Sequence, residues 1–356
     1  MVYILELKTT QAAAMKIVTD AINSLLTDAN FDFYPYYIEE NENENEDSDS
    51  DNESKNSESE SESDNDYESE SDDEESDNSD SELIKKKVTK KTQKVNKNKE
   101  KQQKKLTNKK EEKTSEKETE GTEKKKTIGG VVLKEVNKTG KILVYMRLDA
   151  DKFDVYKYNY HKKKLTLGID IGNLLKCLKC MSHFDTMSWL VDDDDINKLI
   201  VVLEYVERKE KKTFKLNLMD IEEETYDITP IQFPYSITLP SPDFHKYCKD
   251  MGGSTDKMEI KATSKKLFFS GKGEIGNVEF EVGETNGGLQ IVSTTSNTNE
   301  IVQGLFELKF LLIFTKCTNL CNQVTLFLKN DYPIIVTYQI AALGEIKLVL
   351  SPSKSD

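Results

Sequence analysis

Long apolar runs are missing from this chain of 356 residues. Because it contains no stretch of 18 apolar residues, the sequence predicts no transmembrane helix and no membrane partner. The N-terminal stretch from Met1 to Lys8 carries a charge within its apolar run and has no basic leader, so it does not predict a signal peptide.

Cysteine and histidine are scarce, with five and three residues respectively. An odd number of cysteines in a long chain favours reduced thiols in an intracellular protein over a disulfide framework. The pairs Cys177/Cys180 and Cys317/Cys321 have spacings that could suit zinc, yet both coincide with helical patterns, and no histidine has finger-like spacing. Thiols that fill helix packing are the favoured interpretation. The sequence predicts no metal and no other cofactor.

Groupings of side chains that are typical of enzymes are also missing. The run Asp192–Asp195 could hold a divalent cation, but an acidic turn between two strands is the favoured interpretation. The segment Gly271–Gly276 resembles a phosphate loop only superficially, because it lacks that pattern and a following helix. No nucleophile, base and orienting residue share a supporting spacing, so the sequence predicts no catalytic residue and no enzyme.

A long segment of biased composition, residues 39–126, interrupts the chain. Its first half, Glu39–Glu82, holds 23 acidic residues and one lysine, and its second half, Ile84–Lys126, holds 18 lysines and 7 glutamates. Neither half has enough apolar side chains to offset the entropy cost of ordering, so we expect a disordered insert. Kinase sites, a nuclear localisation signal, a DNA tether and a neutral decoration are the roles left open.

Outside the insert, the sequence predicts an α+β fold made mostly of antiparallel strands. Strand patterns flank the insert at Asn30–Ile38 and Gly129–Val136, and Asn137–Gly140 predicts a hairpin turn before the strand Lys141–Leu148. Few of the strand runs are continuously apolar, which favours sheets with one covered face. The other predicted strands are Leu199–Val206, Lys212–Met219, Ser236–Leu239, Lys257–Ala262, Leu267–Ser270, Asn277–Val282, Gln323–Leu328, Ile334–Ile340 and Ile346–Leu350.

Four short helices are predicted among these strands, at Gln11–Leu26, Asp170–Cys180, Pro240–Asp250 and Glu307–Cys317. Their lysines fall opposite the apolar stripe and predict a surface that contacts phosphates without reading bases. Only two residues of the chain are arginines, and lysine suits contact independent of base sequence better than the arginine fork does. The alternative is that these lysines are only the solvated faces of amphipathic helices. The predicted DNA-binding residues are Lys16, Lys176, Lys179, Lys246, Lys249 and Lys316.

Short motifs in a consistent order carry a resemblance to a known family. In the C-terminal half they are Leu218-Met-Asp-Ile221, Leu239-Pro-Ser241, Phe244 to Asp250, Phe269-Ser-Gly-Lys-Gly-Glu-Ile-Gly276, Phe314-Thr-Lys316, Pro333-Ile-Ile-Val336 and Leu350-Ser-Pro352. In the N-terminal half they are Phe31-Asp32, Phe153-Asp-Val-Tyr156 and Asn173 to Cys180. Together they resemble the proliferating cell nuclear antigen (PCNA) family of DNA sliding clamps across nearly the whole chain outside the insert.

The resemblance implies a DNA-clamp fold with two similar domains, each built of antiparallel sheets and two short helices. Three copies would form a ring of six domains, whose helices line a hole for duplex DNA. The expected division is domain 1 at 1–38 plus 127–217, a connector at 218–235 and domain 2 at 236–356. The subunit interface is expected to pair the edge strands Lys212–Leu218 and Asn277–Val282 of neighbouring copies.

In the family, the connector covers a pocket for the hydrophobic plug of a partner's PIP-box peptide. The resemblance assigns to this pocket Val136, Leu143, Tyr226, Ile228, Pro333, Val349, Ser351 and Pro352. Two departures predict an altered partner preference, since Lys141 replaces a valine and the loop proline shifts to Pro230. Ile17 and Asn23 occupy two lysine positions of the family, so the first helix is expected to be less basic. The alternative is that Leu218–Gln232 is only a solvated linker.

The function implied by the resemblance is that of a homotrimeric processivity factor that encircles double-stranded DNA and slides along it. It would dock DNA polymerase and other PIP-box proteins of replication and repair, and a separate ATP-driven clamp loader would open the ring. Two alternatives stay open, a monomeric or heterodimeric processivity factor without a closed ring and a checkpoint clamp in a mixed trimer. The expected location is the nucleus, or a cytoplasmic replication site if the protein is viral.

Overall fold

The computed structural model describes residues 2–38, 127–181, 186–223, 231–274, 276–294 and 300–354. The predicted insert at 39–126 lies outside the described residues. Within the described part of the chain, no helix is long and apolar enough to cross a membrane.

The same order of secondary-structure elements occurs twice along the chain. The first repeat consists of β1 (Tyr3–Thr9), α1 (Ala12–Asn23), β2 (Asp28–Ile38), β3 (Thr127–Val136), β4 (Ile142–Asp149), β5 (Val155–Tyr158), β6 (Leu165–Asp170), α2 (Ile171–Lys179), β7 (Thr186–Asp192), β8 (Asp195–Tyr205) and β9 (Glu210–Asn217). The second consists of β10 (Tyr235–Pro240), α3 (Ser241–Gly252), β11 (Lys257–Ala262), β12 (Lys266–Gly273), β13 (Gly276–Gly283), β14 (Gln290–Ser293), β15 (Val302–Glu307), α4 (Leu308–Phe314), β16 (Gln323–Leu328), β17 (Ile334–Ile340) and β18 (Gly344–Leu350). Short 3-10 helices add Ala150–Lys152 to the first repeat and Thr315–Leu320 to the second.

The repeats also share their sheet topology. In the first repeat, strands in the order β5-β1-β7-β8-β9 form a five-stranded sheet, and β4-β3-β2-β6 form a four-stranded set. In the second repeat the equivalent groups are β14-β10-β16-β17-β18 and β13-β12-β11-β15. Because β18 pairs with β4, the five strands of the second repeat and the four of the first make one nine-stranded sheet. The predicted antiparallel α+β architecture is confirmed.

The β4–β18 junction is antiparallel and runs the length of both strands, from Ile142↔Leu350 to Leu148↔Gly344. Burial alternates along β4, so that every second side chain enters the core. Val144 and Leu348 face each other across this junction and are fully buried. Each such side chain contributes roughly 1.5–3 kcal/mol through burial, so the junction is part of the main core.

The helices follow from apolar positions at helical spacing. In α1 the residues Met15, Val18 and Ile22 are buried. Thr19 is buried as well, and its hydroxyl is satisfied because it donates to the Met15 carbonyl at 2.7 Å. Asp170 caps α2 by accepting the Asn173 backbone N–H at 2.7 Å. The prediction of one continuous helix at 307–317 was wrong, since α4 ends at Phe314 and the chain continues as a 3-10 helix.

The paired strands β2 and β3 lead to the position of the insert. Their pairing extends to Ile38↔Thr127, with a register shift between Tyr34 and Tyr37. Gly129 has φ +119°, and a Cβ there would lie 2.3 Å from the Pro35 carbonyl oxygen, so only glycine fits this approach. The next connection, Asn137–Gly140, is the predicted hairpin turn, and the Asn137 side chain accepts from the backbone N–H of Ile142 at 3.0 Å.

Truncation of the junction should destabilise both repeats together. Leu348→Ala removes a fully buried side chain and should lower the free energy of unfolding by about 2–5 kcal/mol. Urea denaturation followed by circular dichroism measures this loss. Lys138→Ala, in the exposed β3–β4 turn, serves as the control and should change it by less than about 0.5 kcal/mol. A similarly small effect of Leu348→Ala would contradict the role assigned to the junction.

Candidate nucleic-acid and partner interfaces

The four helices form one continuous layer. Helix α1 packs against α2 on one side and against the 3-10 helix Thr315–Leu320 on the other, and α3 packs against both α4 and that 3-10 helix. The six lysines predicted from spacing stand on this layer, Lys16 half-exposed and the other five exposed. Their apolar neighbours, such as Leu175 and Cys248, are buried. The fold therefore brings lysines from both repeats onto one helical surface.

The basic character of this surface differs between helices. On α1, Asn23 is exposed and Ile17 packs against the core, so neither adds a positive charge. Asp20 on the same helix pairs with Lys316 from the second repeat, with 3.3 Å between Oδ2 and Nζ. Lys316 also donates to the Ser24 hydroxyl at 2.7 Å. The expected weak charge of α1 is thus reinforced by an acidic side chain that holds one of the six lysines.

One lysine of this helical surface was not among the predicted residues. Lys309 is exposed in the first turn of α4, seven positions before Lys316, which lies in the 3-10 helix that follows. Its ammonium pairs with Glu307 at 2.6 Å and lies 4.7 Å from the centre of the Phe310 ring. The seven-residue spacing was the available signal, but the apolar run of α4 obscured it.

The predicted partner pocket falls on the face of the nine-stranded sheet opposite the core. Val136 on β3 pairs with Leu143 on β4, and Leu143 pairs with Val349 on β18. All three side chains are half-buried. Because paired residues in antiparallel strands share a face, the three form an apolar row across neighbouring strands. The sheet therefore places these three predicted pocket residues side by side.

The apolar row extends beyond the predicted residues. Ile335 on β17 pairs with Val349, and Phe327 on β16 pairs with Ile335. The Phe327 ring in turn contacts Phe233, with 5.8 Å between ring centroids. Sequence reasoning missed Ile335 and Phe327 because their alternation marks them only as strand residues.

A second row lies one step further along the same strands. Ser351 donates its backbone N–H to the Lys141 carbonyl at 3.0 Å, which continues the register of β4 and β18. Pro333 precedes Ile334, which pairs with Leu350, so it continues β17 toward the same end of the sheet. Pro333 and Ser351 are half-buried, and Pro352 is exposed. The departure from the family, Lys141, is exposed and lies opposite Ser351 in this second row.

The first part of the connector is bonded to the edge of the same sheet. The Met219 backbone N–H donates to the Gly168 carbonyl at 2.8 Å, and the Asn30 side chain donates to the Ile221 carbonyl at 3.2 Å. Glu223 pairs with Lys164. Tyr226, Ile228 and Pro230 lie outside the described residues.

Neither the cysteines nor the acidic run forms a metal-binding group among the described residues. All five cysteines are free thiols, and burial raises the pKa of Cys317 to about 12. Asp193 and Asp194 form the turn between β7 and β8, as predicted. No group of three or more histidine, cysteine, aspartate or glutamate residues suited to a metal occurs among the described residues.

Comparison with known proteins identifies the family of this two-repeat fold. The model of the N-terminal domain of proliferating cell nuclear antigen matches residues 122–226, and the model of the C-terminal domain matches residues 227–353. The chain belongs to the PCNA family. Its fold is accordingly the DNA-clamp fold, with two PCNA domains in one chain.

A viral protein is among the relatives. The protein, described as a probable DNA polymerase sliding clamp of Acanthamoeba polyphaga mimivirus, is 28% identical over 229 residues. The match covers 64% of this chain and 48% of that protein, so the chain spans about half the length of the curated relative it matches.

Gly168 is the contact that holds the connector of this PCNA fold against β6. A Cβ at this position would lie 2.2 Å from the Met219 carbonyl oxygen, so Gly168→Ala should displace Met219–Ile221. Cleavage after Glu222 and Glu223 by a glutamate-specific protease, followed by mass spectrometry, should become several-fold faster because local opening exposes the chain. Gly253→Ala is the control, since a Cβ there meets nothing within 4 Å. Equal cleavage rates for both variants would contradict the assignment.

Proposed function

We propose that this protein is a DNA sliding clamp, a ring of three copies that encircles duplex DNA and tethers DNA polymerase to it. The proposal keeps the domain division expected from the sequence, with domain 1 at 1–38 plus 127–217, domain 2 at 236–356 and the connector 218–235 between them. The observation that carries the proposal is the pairing of β18 with β4, which joins the two repeats within one chain. The equivalent strands by repeat order, β9 and β13, each have a single partner strand within the described part of the chain.

The open strands fit each other across copies. Pairing of β9 with β13 of the next copy would join five strands to four, as β18 and β4 do within the chain. Each edge strand has no second partner strand among the described residues, so its outer backbone groups are available for pairing. The charges on one exposed face are opposite, since β9 carries Lys211 and Lys215 whereas β13 carries Glu279 and Glu281. Opposite charges on two edges of one chain favour head-to-tail association of copies.

Such head-to-tail contacts close into a ring when the rotation between units permits it. The resemblance to the family supports three copies, in which six similar domains alternate covalent and non-covalent junctions. The helical layer would then face the hole, and its lysines would contact phosphates without regard to base sequence. A closed ring needs few such contacts, because release from the DNA requires the ring to open.

The clamp would act as a scaffold without chemistry of its own. The apolar row Val136–Leu143–Val349 is the proposed dock for the PIP-box peptides of DNA polymerase and other replication and repair proteins. Docking to the ring raises the local concentration of a polymerase at the DNA. A separate ATP-driven clamp loader would open the ring, and the site of action is the nucleus or a cytoplasmic replication site.

The solution mass of the full chain tests the ring. Light scattering on a size-exclusion column should give a mass near three chains at micromolar concentration. Lys211→Glu with Lys215→Glu places like charges on both edges, so this variant should dissociate, and adding Glu279→Lys with Glu281→Lys should restore the larger mass.

Two outcomes decide against this interface. A natural chain with the mass of one or two copies would favour an open or mixed-subunit clamp over the homotrimer. A trimer that survives the lysine reversals as well as it survives the control Lys138→Glu, in the exposed turn, would show that β9 is not at the interface.

The helical surface is tested by DNA affinity as a function of salt. Lys176→Ala with Lys249→Ala should weaken binding to unrelated duplexes equally. The slope of log affinity against log salt should fall by about 0.9 for each phosphate contact that is lost. Asp20→Asn should strengthen binding, because it frees Lys316 for phosphate. Fluorescence anisotropy measures each affinity, and a double lysine variant that binds like the control Lys138→Ala would exclude this surface.

A further inference from the structure

An ionic cluster that connects both repeats lies beside the apolar row, in the neighbouring row that contains Ser351. Lys141, on the strand β4 side of the row, forms a hydrogen-bonded ion pair with Glu307 at the end of β15. Lys309 holds the other carboxylate oxygen at 2.6 Å. We call Lys141, Glu307 and Lys309 the rim cluster. Its two lysines and one glutamate leave one net positive charge.

Within the rim cluster, Lys141 lies on the same face of the sheet as the predicted pocket. Lys141 has the same strand parity as Leu143, so its side chain leaves the sheet on the face of the apolar row. Its backbone carbonyl accepts the Ser351 N–H at 3.0 Å, and two residues later the Ser353 N–H donates to the Leu305 carbonyl on β15 at 2.7 Å. The C-terminal segment thereby links the pocket residue Ser351 to the strand that bears Glu307.

Exposure within the rim cluster favours one kind of ligand. The side chain of Glu307 is 20% exposed, whereas those of Lys141 and Lys309 are 51% and 68% exposed. The two lysines lower the pKa of Glu307, so its carboxylate is ionised at neutral pH. Both carboxylate oxygens are already paired with these lysines. What the rim cluster offers an incoming peptide is therefore ammonium groups, not a free acid.

We propose that the rim cluster makes the partner pocket selective for peptides that carry an acidic side chain beside their apolar plug. The acidic group would bind Lys141, on the face of the apolar row, while Glu307 remains paired with Lys309. This inference rests on the docking role proposed above and deepens it by naming the chemistry of the partner. A basic residue at the same peptide position would meet Lys141 as a like charge and would be disfavoured.

Peptide binding to the full chain tests the selectivity. Three synthetic PIP-box peptides, which differ only by Glu, Gln or Lys at one position flanking the plug, are titrated by isothermal calorimetry, and the flanking position is scanned on both sides of the plug. The Glu peptide should bind about three-fold more tightly than the Gln peptide, as expected for a partly exposed ion pair, and the Lys peptide most weakly. The preference should shrink as ionic strength rises.

Variants of the rim cluster separate its charge from its shape. Lys141→Val should bind the Glu and Gln peptides equally. Glu307→Gln should increase the preference for the Glu peptide, because it frees Lys141 from its internal partner. Lys138→Ala is the control. Lys138 lies in the turn just before Lys141 but is not a member of the rim cluster, so this variant should leave the preference unchanged.

The outcomes distinguish this inference from the proposal on which it rests. Equal binding of the three peptides at every flanking position, or a preference that survives Lys141→Val, would overturn the rim cluster while leaving the dock in place. Failure of all three peptides to bind at any position would overturn the docking role itself, and the selectivity with it.

Discussion

The pairing of β4 with β18 is the constraint on which the other features of this protein depend. It joins the two repeats into a nine-stranded sheet, and it brings Leu143 beside Val349 on the outer face. Without that pairing the apolar row would be split between two separate sheets, and the rim cluster would lose its link between β4 and β15. The junction also supports the assembly proposed for β9 and β13, because these strands occupy the equivalent positions in the repeats. One type of strand pairing thus supplies part of the core, the proposed dock and the proposed geometry of assembly.

Much of the fold could be predicted where local pattern and tertiary environment agree. Strands β11, β16 and β17 have the predicted bounds, and in β11 and β16 the side chains alternate between core and surface. Strand β7 was not predicted, since Thr186–Asp192 is buried along its whole length and shows no alternation. Strand β5 is only four residues long. The β4–β18 junction joins residues about 200 positions apart, and no local pattern specifies such a pairing.

The candidate sites divide in the same way. The six lysines could be identified because helical spacing is a local property, and the structure brings them onto one layer. The ion pair between Lys141 and Glu307 could not be predicted, because the two residues are 166 positions apart in the sequence. Taken alone, each residue has the pattern of an ordinary surface charge. The resemblance nevertheless marked Lys141 as a departure from the family. The ion pair between Asp20 and Lys316 was hidden for the same reason, since it too connects the two repeats.

The covalent connection between the repeats gives a ring of this kind two unequal types of seam. At β4–β18 the two strands belong to the same chain, and the connector is hydrogen-bonded to β6 through Met219 and to β2 through Ile221. Separation of β4 from β18 would therefore expose buried side chains of the main core. At β9–β13 nothing but strand pairing and surface charge would hold the edges. Mechanical load on the ring would therefore part it at one of three places out of six, and those three would be the hinges available for opening.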